Sequence, residues 1–263
     1  MPAIIGYMDR PLYIAGSRYP PQPRGPAEWG TSMPLVHPSI ADIIEADVVA
    51  KTLADPHYRN TLLNIKGLLS EDALIRTEVP LRKFRRDLPG DVDILVVPHD
   101  LPEQSTAIQV KRFKIKVQSD DDDFTFQLEC MKELFDKGVQ QANDNADLGF
   151  SQVYLWVFIL SDTRNRNNGR YTTYDGPDSR LNSIIRQAIS TAKLRPHVGL
   201  MEFEWVQPMD RPPFTLGSHG THGERFAESV KQPDDLTRWL STLKRGRNYV
   251  APAWRRKSSN LLD

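Results

Sequence analysis

Four polar residues stand in two otherwise apolar stretches of the chain. The segment 90-GDVDILVV-97 carries Asp91 and Asp93, and 107-AIQVKRFK-114 carries Gln109 and Lys111. Both stretches have the composition of strands. Side chains alternate across a strand, so Asp91 and Asp93 share one face, opposite Val92, Ile94 and Val96. Gln109 and Lys111 likewise share a face, opposite Ile108 and Val110. A lone buried aspartate or lysine is costly, whereas a cluster of them, above all around a metal ion, is mutually compensating. If the two strands pair as a hairpin, carboxylates, amide and ammonium meet on one side. The alternative is a strand end with solvated charges, in which Lys111, Arg112, Lys114 and Lys116 form an exposed ladder. The recurrence of the charges at fixed places within apolar strands argues for the cluster.

The elements that must position this cluster follow from patterning. Residues 1–38 are rich in proline, including 19-YPPQPRGP-26, and read as an extended arm. A helix is expected over 39-SIADIIEADVVAKTL-53, with Ser39 as N-cap. A shorter helix is expected over 58–69. Strands are expected at 73–81, 91–97 and 106–117, separated by the basic turn 82–90 and the polar loop 98–105. The run Asp120–Asp123 reads as a solvated turn, followed by a helix near 125–142. The near-continuous apolar stretch 152-QVYLWVFIL-160 reads as a centre strand covered on both faces. A helix near 178–193, a strand at 198–206 and a helix near 233–244 complete the chain. The order α–β–β–β–α–β–α–β implies one α/β domain with a mixed sheet and helices on its faces. The expected boundaries are an arm at 1–38, a domain at 39–207 and a C-terminal extension at 208–263.

Composition sets further bounds. The chain has 263 residues, 39 % hydrophobic and 26 % charged, with 34 basic and 34 acidic side chains and zero formal net charge. Nucleic-acid binding must therefore come from local patches rather than from the global field. The single cysteine, Cys130, excludes a disulfide framework and a cysteine-rich zinc site. It reads as a packing residue in an amphipathic helix. The N-terminus has no signal-peptide pattern, and no apolar run approaches the ~20 residues of a membrane helix. A soluble cytoplasmic protein is the expectation. No phosphate-binding lysine loop, dinucleotide loop or nucleophile elbow is present. His219 and His222 have H-x-x-H spacing, but zinc sites normally need three or four ligands, so they read as loop histidines.

The arrangement of Gly90, Asp93, Gln109 and Lys111, continued by Arg112 and Phe113, resembles the PD-(D/E)XK nuclease superfamily. The Q-x-K in place of (D/E)-x-K is similar to the Mrr-like restriction endonuclease branch. The resemblance covers residues 40–160. It implies a restriction-endonuclease-like mixed central sheet flanked by helices, with an α-β-β-β-α-β core. It also implies a metal-dependent DNA endonuclease using Mg²⁺ or Mn²⁺, in restriction or anti-phage defence. By that resemblance Asp93 is the main metal ligand, with the Val110 carbonyl and Gln109, and Lys111 holds the attacking water. Glu45 from the first helix completes the catalytic set, with Asp47 and Glu78 as rivals. Gln109 supplies a neutral oxygen where a carboxylate is usual, so metal binding is expected to be weaker, with Asp91 or Glu45 compensating.

The candidate DNA contacts are Arg82, Lys83, Arg85 and Arg86, together with Arg112 and Lys114 beside the cluster. The basic tail, with Lys244, Arg245, Arg247, Arg255, Arg256 and Lys257, is a further patch. Gln140 or Gln141 is expected near the site. A separate ATPase or sensor protein is an implied partner, because the chain has no such motif. A homodimer would supply the two sites that double-strand cleavage requires. Two rival readings stay open: a catalytically silent nuclease fold that binds DNA or aids assembly, and a protein–protein interaction module.

Overall fold

The computed structural model describes residues 39–54, 59, 62–63, 73–88, 90–116, 121–162, 193–207 and 219–243. All of them fall in the unit Met33–Asp263. The expected arm at 1–38, the helix near 178–193 and the basic tail from Lys244 lie outside the described residues. So does most of the expected helix at 58–69, of which Arg59, Leu62 and Leu63 are helical.

Six strands form one mixed sheet: β1 (Leu74–Pro80), β2 (Asp91–Val97), β3 (Thr106–Lys116), β4 (Gln152–Asp162), β5 (Gly199–Gln207) and β6 (His219–Arg225). Their order in space is their order in the chain. The β1–β2 and β2–β3 pairs are antiparallel, β3–β4 and β4–β5 parallel, and β5–β6 antiparallel. Three helices are described: α1 (Glu45–Ala54), α2 (Asp121–Asp147) and α3 (Asp234–Ser241). A parallel pair needs a crossover, and α2 lies in the one between β3 and β4.

The apolar run of β4 is covered on both faces, as its continuity predicts. Val153, Leu155, Val157 and Ile159 pack with Met131, Phe135, Val139, Ala142 and Ala146 of α2 and with Leu236 and Leu240 of α3. Tyr154, Trp156, Phe158 and Leu160 pack with Val48, Val49 and Leu53 of α1. The α2 residues recur at the three-to-four spacing that gives a helix one apolar stripe. Among the described residues no helix is long and apolar enough to cross a membrane.

Several elements differ from the sequence expectation. Helix α1 begins at Glu45, not at Ser39, and a 3-10 turn covers Ile40–Asp42. The physical reason lies in a distant partner: the Ile43 carbonyl accepts a hydrogen bond from Arg112 and is not part of a helical ladder. Helix α2 extends beyond 125–142 at both ends. Residues 121–123 open it instead of forming a turn, and an acidic sequence suits the positive end of a helix dipole. Ala142 and Ala146 carry its buried stripe through the polar stretch 140–147. Strand β6 arises in the glycine- and histidine-rich segment expected to be a loop; backbone pairing with β5 forms it without apolar alternation. Residues 219–243, expected to belong to an extension, thus supply one strand of the sheet and a helix whose Leu236 and Leu240 enter the core.

Candidate active site

Strands β2 and β3 pair over a short stretch, Val96↔Thr106, Leu95↔Ala107 and Ile94↔Ile108. Beyond it β2 stays with β1, to Pro80↔Asp91, and β3 stays with β4, to Lys116↔Asp162. The sheet therefore opens between Asp93 and Gln109, and the four polar residues of the two apolar stretches lie at this opening.

Asp93 fills the first missing rung. Its Oδ2 accepts a hydrogen bond from the Val110 amide at 2.6 Å and another from the Gln109 side-chain amide. Gln109 is 1 % exposed, and its Oε1 is buried without a hydrogen-bond partner. Burial pushes the Asp93 carboxyl up to about 7 from 3.8. Lys111 and the Val110 amide oppose that shift, while Glu45 and Asp91 add to it. The Asp93 carboxyl thus lies in the fields of Lys111, Glu45 and Asp91.

Lys111 is 7 % exposed. Its ammonium donates to the Val110 carbonyl at 2.7 Å and to Glu45 Oε1 at 3.3 Å. Both main-chain polar groups of Val110 are therefore taken by side chains of the cluster. Glu45 stands in the first turn of α1, where a carboxylate is favoured by the helix dipole. Of the three candidate acids, Glu45 is the one that reaches Lys111. Glu78 is exposed on β1 and has φ of 49°, in the left-handed region. It occupies the position opposite Asp93, between Thr77↔Ile94 and Val79↔Val92. Asp47 acts on Arg112 instead.

Arg112 also has a structural part. It is half-buried, donates to the Ile43 carbonyl, and lies in the field of Glu45, Asp42 and Asp47. Burial pulls its pKa below the ordinary arginine value, and the three carboxylates pull the other way. Through one guanidinium nitrogen it holds the entry to α1. The sequence offered one signal for this: an arginine in a strand covered on both faces must find acceptors.

The four cations Arg82, Lys83, Arg85 and Arg86 are exposed on the turn between β1 and β2. The turn is closed by the Leu81 amide on the Gly90 carbonyl at 3.2 Å, and Gly90 has φ of 84°, which favours glycine. Phe84 seats it against Trp239 of α3, with ring centroids 5.3 Å apart. Lys114 is exposed near the end of β3. Gln140 points elsewhere, donating to Asp144 at 2.7 Å, and Gln141 is half-buried. The side chains of His219 and His222 lie outside the described residues.

The donor set at the opening consists of oxygens: the Asp93 carboxylate, Gln109 Oε1 and the Val110 carbonyl. Hard divalent cations take such ligands and keep waters in their remaining positions. The orphaned Gln109 Oε1 and the uncomfortable Asp93 carboxyl are both groups that a cation would relieve. Among the described residues no three His, Cys, Asp or Glu side chains gather as metal ligands. A cation at this set would be held by few protein ligands.

Fold and cluster together define a mixed α/β protein with a polar site where two central strands part. No family model, curated protein or solved structure matches the chain.

Proposed function

We propose that the chain is a metal-dependent nuclease of PD-(D/E)XK, Mrr-like type that hydrolyses DNA phosphodiesters. One observation carries the reading: Asp93, Gln109, Lys111 and Glu45, from β2, β3 and α1, converge where the β2–β3 ladder stops. Asp93, Gln109 and the Val110 carbonyl would hold Mg²⁺ or Mn²⁺. When bound, such an ion offsets phosphate charge and makes a bound water a better nucleophile. Lys111 orients the attacking water and offsets charge on the phosphate in the transition state. Glu45 holds the Lys111 ammonium in place. Arg82, Lys83, Arg85 and Arg86 bind the DNA backbone beside the site.

The test is plasmid cleavage by wild type and Lys111→Ala in Mg²⁺, Mn²⁺ and EDTA. Metal-dependent cutting by wild type alone is the expected result. Absence of cutting by wild type under every metal condition, with DNA binding retained, would sink the catalytic reading.

A second reading is a silent nuclease fold that binds DNA. It is favoured by the full engagement of Lys111 with Val110 and Glu45, because a buried ion pair can serve fold specificity alone. Under that reading Lys111→Ala binds DNA as wild type does.

A further inference from the structure

The aliphatic stem of Lys111 does not run into open space. It passes beneath α2 at Gly138. A Cβ at position 138 would meet Lys111 Cγ at 2.6 Å and Leu155 Cδ1 at 2.9 Å, with Lys111 Cδ at 3.4 Å. These contacts differ in kind. Leu155 presents the terminal methyl of a core side chain that is tethered only through its own backbone. Lys111 is pinned at both ends, through its backbone in β3 and through its ammonium on Val110 and Glu45. A methyl group at 138 would displace the middle of that span and draw the ammonium off its acceptors.

Gly138 also needs a reason to exist. It lies inside a 27-residue helix and is buried. Glycine in a helix interior is less favourable than alanine, because it loses more backbone freedom and adds no packing. Its φ is not in the left-handed region, so no backbone strain accounts for it. What it supplies is the space through which the lysine passes.

We infer that Gly138 is a positioning residue for Lys111: the missing side chain forms the channel that delivers the ammonium to the opening between β2 and β3. The kinetic consequence rests on the nuclease reading above; the structural coupling does not.

The experiment is a thermal-melt cycle on the full chain with wild type, Gly138→Ala, Lys111→Ala and the double variant. Helix propensity alone would make Gly138→Ala raise the melting temperature. The inference expects it to lower the melting temperature when Lys111 is present and to raise it in the Lys111→Ala background. Folding of the double variant where Gly138→Ala alone fails to fold gives the same support. A shift of the same sign and size in both backgrounds, or failure of both Gly138→Ala proteins to fold, would overturn it, because the obstruction would then be Leu155 or backbone. In cleavage assays Gly138→Ala should lose about ten- to a hundredfold in kcat with KM for DNA unchanged, the scale of an ångström-sized misplacement. Wild type that does not cut fails the nuclease reading, and the melt cycle alone then decides the coupling. Wild type that cuts with Gly138→Ala equally fast overturns the positioning role.

Discussion

The Asp93 carboxylate stands 2.6 Å from the Val110 amide, in the place that a strand backbone would take if β2 and β3 continued to pair. One side chain thus ends the ladder and satisfies the donor that the ending would otherwise orphan. Removing it has two separable effects. Asp93→Ala leaves the Val110 amide and the Gln109 amide without their acceptor and should cost about 1–3 kcal/mol in urea unfolding. Asp93→Asn keeps an acceptor oxygen and should cost less. Both should abolish metal-dependent cutting. Equal stability of the alanine and asparagine variants would contradict this account.

Asp93 also sets a pH dependence. In the folded chain its carboxyl titrates at about 7, against an ordinary value of 3.8. Between these values the folded state holds a proton that the unfolded state has released. Stability of the protein in EDTA therefore falls as pH rises through this window and levels off above it. The largest slope is about 1.4 kcal/mol per pH unit. Asp93→Asn should lack it. Urea midpoints for the two proteins across the window give the comparison, and parallel curves would refute the assignment.

Arg112 and the hairpin cations should separate cleanly in a salt titration. Removing a phosphate contact lowers the slope of log K against log salt by about 0.9 for duplex DNA. Substitution of Arg82, Lys83, Arg85 or Arg86 by alanine should reduce the slope. Arg112→Ala should leave the slope unchanged yet destabilise the fold by about 1–3 kcal/mol, since it strips a charged donor from a part-buried carbonyl. A reduced slope for Arg112→Ala would return that residue to the DNA interface.

Glu78 offers a test of strain beside the site. A non-glycine residue held in the left-handed region costs on the order of 1 kcal/mol. Glu78→Gly should be neutral or stabilising, and Glu78→Val should destabilise, because a branched side chain is least tolerated there. If both variants unfold at the urea concentration of wild type, the left-handed conformation has no energetic weight.

The sequence carried the strands of the site well, and the reason is periodicity. Alternation in 91–97 and 106–116 located Asp93, Gln109 and Lys111 on their strands, and the apolar run 152–160 located the centre strand. What it could not carry depended on partners distant in the chain. The start of α1 is decided by Arg112, 69 residues from the carbonyl it binds. Strand β6 exists because β5 offers it a backbone edge, which no local pattern in 219-HGTHGER-225 announces. The halt of the β2–β3 ladder at Ile94 is likewise invisible to composition. Gly138 is ordinary as a letter in a helix and acquires meaning only from the lysine beneath it.

Because the sheet's spatial order follows the chain, each strand leaves the ribosome next to the neighbour it will join. Strand β3 is the exception in part. Its ladder with β2 ends at Ile108, so residues 109–116 have no strand partner until β4 emerges about forty residues later. An unpaired apolar strand is a template for aggregation, and lysines along it are a common safeguard. That waiting segment holds Lys111, Arg112, Lys114 and Lys116. Cations at these positions would keep a nascent edge from pairing with the wrong chain.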